Sequence, residues 1–135
     1  MNEKAKKLWI DTLRSETVKQ GRNRLCRLKD NEYYFCCLGV LCEIYQSESQ
    51  DPKNKLEPLE IFKAGSSEIG FEFSYDDNYG GLPSRVREWA DINNSFASFE
   101  NEHNQYSDLV HLNDGFNGLT PKTFIEIADV IEKYF

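Results

Sequence analysis

Tyr33-Tyr34-Phe35-Cys36-Cys37-Leu38-Gly39-Val40-Leu41-Cys42 holds three of the four cysteines of the chain and one glycine in an otherwise apolar run. From Cys36 onward its residues are small or apolar and mostly not β-branched. The run therefore predicts a short aromatic strand, Tyr33 to Phe35, feeding a buried helix that ends near Ser47. The other segments are expected to pack around that helix. Gly39 costs a helix roughly 1 kcal/mol relative to Ala, and a position that accepts this cost is often one where another backbone or a ligand comes close.

Working outward, Leu25 to Leu28 reads as a strand, and the polar link Lys29-Asp30-Asn31-Glu32 has hairpin length, so the two strands form an antiparallel pair. Upstream, Leu8, Trp9, Thr12 and Leu13 recur at helical spacing within Lys4 to Ser15, with Trp9 and Leu13 facing the core. Downstream, Pro52 and Pro58 break a polar surface loop. Ile61 to Ala64 and Gly70 to Tyr75 read as short strands, and the alternation of Phe71, Phe73 and Tyr75 with Glu72 and Ser74 predicts a buried aromatic face. Leu82-Pro83-Ser84 opens a helix anchored by Trp89. Asn93 to Gln105 has no period and is expected as a mobile lid. Ser107 to Leu112 predicts a short helix ended by the turn Asn113-Asp114-Gly115. Thr120 is expected to cap a last helix with Pro121 in its first position and Phe124, Ile127, Ala128 and Ile131 as its inner stripe. These elements make an α+β fold in a single domain, residues 1–135.

With 39% hydrophobic and 13% aromatic residues, the chain excludes a disordered or collagenous class. No apolar run approaches the roughly 20 residues of a membrane helix, and Met1 to Lys7 leads into an amphipathic helix instead of a signal peptide. A cytoplasmic protein is expected. Adjacent Cys36 and Cys37 do not resemble a loop-stapling framework, so reduced core thiols are expected. Cys26, Cys36, Cys37, Cys42, His103 and His111 offer enough ligands for zinc but lack the two-residue knuckle spacing, and neither metal nor cofactor is expected.

The formal charge of −7 is unevenly divided. Met1 to Lys29 holds nine Lys/Arg against three Asp/Glu, and the remainder holds seven against twenty. An acidic body disfavours long nucleic acid, whereas a small phosphorylated ligand can be held locally by the basic segment. Lys19-Gln20-Gly21-Arg22-Asn23-Arg24, with Arg14 before it and Arg27 after it, places guanidinium groups beside a tight turn, where they could clamp a phosphate. In an extended strand Arg22 and Arg24 share a face and Arg27 takes the other. Gln20 can read a base or ribose edge, and Tyr33 or Tyr34 can stack on a base. Asn113 and Asp114 can bond a ligand hydroxyl or amine. The same residues also suit a solvated basic face and a helix-ending turn. The candidate site is thus Arg14, Gln20, Gly21, Arg22, Arg24, Tyr34, Asn113 and Asp114. Cys36 or Cys37 with His111 would make a thiol nucleophile and base, set against inert core thiols.

Four pieces stand in order: Leu13-Arg14-Ser15 with Gln20-Gly21; Cys36 to Cys42; Leu82-Pro83 with Trp89-Ala90; and Leu112-Asn113-Asp114 followed by Phe124 to Glu132. Together they resemble a family of small, largely uncharacterised proteins of tailed bacteriophages and prophages. The resemblance implies a phage protein in the cytoplasm of a bacterial host. With the basic segment, it implies capture of a small anionic ligand, such as a cyclic nucleotide or an ADP-ribose derivative that signals antiviral defence. Sequestration without chemistry is the preferred reading, and a homo-oligomer is left open. A Cys-dependent hydrolase of such a ligand and an acidic protein that inhibits a host protein are the alternatives.

Overall fold

The computed structural model describes residues 1–63 and 70–135. Helix α2 (Cys37–Glu48) lies at the centre, with Cys37 to Cys42, Ile44 and Tyr45 all buried. Its first turns are apolar on every side because neighbours cover every side. A Cβ on Gly39 would stand 1.9 Å from the carbonyl oxygen of Leu25, so the close approach that a mid-helix glycine implies is made by the backbone leading into the hairpin. Helix α1 (Glu3–Arg14) buries Ala5, Trp9, Ile10 and Leu13 against it, and Trp9 Nε1 donates to the carbonyl of Cys37 at 2.8 Å. Helix α5 (Phe124–Tyr134) lies along α1 and buries Phe124, Ile127, Ala128 and Ile131, the expected stripe.

The main sheet has the order β1 (Lys19–Gln20), β3 (Glu32–Phe35), β2 (Cys26–Lys29), β5 (Gly70–Tyr75), β4 (Pro58–Lys63). The β2–β3 hairpin is antiparallel and turns through Asp30 and Asn31, both at positive φ (50° and 63°), as a two-residue hairpin turn requires. β1 runs parallel to β3. β4 falls on the expected Ile61 to Ala64 strand but starts earlier, at Pro58, and Ala64 lies outside the described residues. Helix α3 (Ser84–Ala90) buries Val86 and Ala90, and the Trp89 ring meets Tyr45 edge-on at 5.5 Å. The fold is α+β, and no described helix is long and apolar enough to cross a membrane.

Four local expectations are corrected. Asn93 to Gln105 is not a structureless lid, since β6 (Ser98–Glu100) lies in it and pairs with β7 (Tyr106–Asp108). Helix α4 (Leu109–Asp114) starts after β7 at an Asp108 cap and runs through Asn113 and Asp114, leaving Gly115 at φ 83° to end it. The cap of α5 is Thr123, not Thr120: Glu126 N donates to Thr123 Oγ1 (3.3 Å) and Thr123 N donates to Glu126 Oε1 (3.0 Å), a reciprocal pair that Thr120 lacks. On β5 Tyr75 is buried as expected, but Glu72 and Ser74 are buried as well while Phe71 and Phe73 are only half-buried, and two arginines cover Glu72.

Candidate functional site

The structure brings Gln20, Gly21, Asn113 and Asp114 together and closes their polar groups on one another. Asn113 is fully buried. Its Oδ1 accepts from Gln20 Nε2 (3.0 Å) and from the N–H of Cys37 at the start of α2 (3.2 Å). Its Nδ2 donates to the carbonyl of Gly21 (2.8 Å) and to Asp114 Oδ1 (2.9 Å). An amide has two donors and two acceptor sites, and all four are filled. Gln20 also donates to the Lys122 carbonyl (2.8 Å) and accepts from the N–H of Phe124 (3.1 Å), while Asp114 Oδ1 accepts from the N–H of Asn23 (2.9 Å). This cluster fastens the β1 segment, the start of α2 and the entry to α5.

The arginines do not meet around a shared hollow. Arg14 Nη2 bonds Asp129 (2.7 Å) and Glu132 (2.8 Å) on α5, and that contact holds the Glu132 carboxyl below its ordinary range. Arg24 Nε and Arg27 Nη2 converge on the buried Glu72, at 2.7 and 2.9 Å. The expected separation of Arg24 from Arg27 fails because the chain bends through Arg24 and Leu25 and is a strand only from Cys26, so no strand alternation links the two arginines. The Arg24 guanidinium lies over the Tyr79 ring, and Arg22 is exposed. Tyr34 donates its hydroxyl to Glu32 (3.2 Å), which also pairs with Lys19.

The thiols are core groups. Cys36 Sγ accepts from the N–H of Gly39 as the cap of α2, and Cys37 Sγ donates to the carbonyl of Leu109. Burial pushes Cys26 and Cys36 up to about 12, so both stay protonated at neutral pH. His111 bonds Asp108 (2.8 Å) and stacks on Phe116, away from any thiol bond. Among the described residues no group of three His, Cys, Asp or Glu side chains is placed to hold a metal ion.

One concave feature of the described residues lies on the opposite face of the sheet from Glu72. Register places Cys26, Leu28, Tyr33, Phe35, Phe71 and Phe73 on one face, and the Tyr33 ring contacts both Phe35 (6.4 Å) and Phe73 (6.0 Å). Where this face meets α2 it forms a cleft of about 240 Å³ lined by Cys26, Tyr33, Phe35, Glu43, Gln46, Phe73 and Tyr75. Glu43 and Gln46 are three residues apart on α2 and so share its cleft-facing side. Tyr75 donates its hydroxyl to Glu43 Oε1 at 2.5 Å, and burial together with that carboxylate pushes the phenol up, keeping it a neutral donor. Gln46 Oε1 is buried with no hydrogen-bond partner among the described residues. Stacking walls beside a carboxylate suit a flat ring with N–H groups on its edge.

Sequence reasoning named Tyr33 as a stacking surface and missed Glu43, Gln46 and Tyr75. The available signal was a pair of polar residues at helical spacing in an apolar helix. No curated protein and no solved structure matches the chain. The whole chain, residues 1–135, matches the family described as Domain of unknown function (DUF8296), and it belongs to that family.

Proposed function

We propose that this protein binds a small nucleotide-type ligand by its base in the aromatic cleft and sequesters it without chemistry. The observation that carries the reading is the cleft itself, walled by Tyr33, Phe35 and Phe73 and floored by Glu43 and Gln46. The resemblance to phage and prophage proteins supports a setting in which the captured molecule is a signal of bacterial antiviral defence, a cyclic nucleotide or an ADP-ribose derivative among them. Stacking one base contributes about 1 to 3 kcal/mol, so Phe73→Ala should weaken binding roughly fivefold to a hundredfold. An Arg22→Ala/Arg24→Ala variant should bind as the parent does, because Arg24 lies with Glu72 on the other face of the sheet. Calorimetry with a panel of nucleosides and of cyclic and linear nucleotides checks both. No heat from any member, or equal binding by Phe73→Ala, removes the cleft as the site; loss of binding in the arginine variant moves it to the basic face.

A further inference from the structure

We propose that the cleft selects a guanine base through Glu43, an inference that rests on the ligand-binding reading above. The acceptor that α2 places at the cleft is the Glu43 carboxylate. Its Oε1 takes the Tyr75 hydroxyl, and Oε2 has no partner among the described residues. An ionised carboxylate offers about four acceptor sites, so one phenol leaves most of them unfilled. The matching edge must therefore present donors side by side. Guanine does so: N1–H and one N2–H run parallel, as a carboxylate requires. Adenine and cytosine present an amino group next to a ring nitrogen lone pair, which a carboxylate repels. Uracil presents one N–H between two carbonyls. The walls do not discriminate among bases, since every base has a π face, so selection falls to the floor.

Calorimetry with guanosine, inosine, adenosine, cytidine and agmatine tests this. Guanosine should bind most tightly. Inosine, which keeps N1–H and loses the amino group, should bind roughly tenfold to a hundredfold more weakly, the scale of one charge-assisted hydrogen bond. Glu43→Gln keeps an acceptor for Tyr75 and should shrink the preference for guanosine over adenosine while leaving thermal stability near the parent's. Adenosine or cytidine binding as tightly as guanosine, with Phe73→Ala still weakening binding, overturns the guanine inference and leaves the cleft as the site. Agmatine bound in place of guanosine shows that a guanidinium, not a base, is read, and also overturns it. Silence from every nucleoside overturns both readings.

Discussion

A methyl group on Gly39 would have to share space with the Leu25 carbonyl oxygen, 1.9 Å from where its Cβ would stand. Gly→Ala stabilises an open helix by about 1 kcal/mol, but here the atom in the way is backbone, and overpacking a core costs about 1 to 3 kcal/mol or more. Gly39→Ala should therefore destabilise the protein, by about 2 kcal/mol net at the upper end of that range. Denaturant unfolding reads this, and an unchanged midpoint would mean that α2 and Leu25 are not in contact. The close approach was legible in the sequence because a mid-helix glycine asks for a reason; which backbone supplies it was not, because the partner belongs to another segment. Asn113 teaches the same limit. Its residue type suits a ligand site and a structural knot equally, and only the arrival of Gln20, 93 positions away, decides between them.

The start of α5 shows how a strong local signal can be outweighed by a reciprocal one. Pro121 after Thr120 fits a first helical turn, yet Thr123 and Glu126 satisfy each other's backbone groups, and Gln20 Oε1 takes the N–H of Phe124 that follows. Thr123→Ala should cost about 1 kcal/mol and Thr120→Ala close to nothing, as measured by the melting temperatures of the two variants. The reverse order would return the cap to Thr120. The larger elements were readable: α1 and the stripe of α5 follow from spacing, α2 from its run of small and apolar residues, and the hairpin from the short polar link between its strands. β1, with two residues, and β6 and β7, with three each, were not, since so short a stretch has no period and exists only because another strand lies beside it.

For the molecule as a whole, the basic excess of the first 29 residues does not form an arm. Arg14 is held by Asp129 and Glu132, Arg24 and Arg27 by Glu72, and Lys19 by Glu32, so the charge is dispersed over the acidic body. Sequence alone divides charge by position along the chain, whereas the fold divides it by neighbourhood. The buried thiols give the molecule an alkaline limit. Burial raises Cys26 and Cys36 from 9.0 to about 12, so the folded chain keeps protons that the unfolded chain releases. Stability is then complete below 9.0 and is lost progressively as pH rises from there toward about 12. Melting temperatures followed into that window should fall, and the native thiols should resist a thiol reagent until the protein unfolds; a flat profile with rapid labelling would place the cysteines outside the core. The cluster around Asn113 bears on how this state is reached. Apart from the bond between the neighbours Asn113 and Asp114, its bonds join groups 76 to 104 residues apart, so none of these rewards a partly built chain, and each pays loop closure before it forms. Helices α1 and α2 can gather early around Trp9, but the knot tightens only when both halves of the chain have arrived, which makes it a late, all-or-none step of folding.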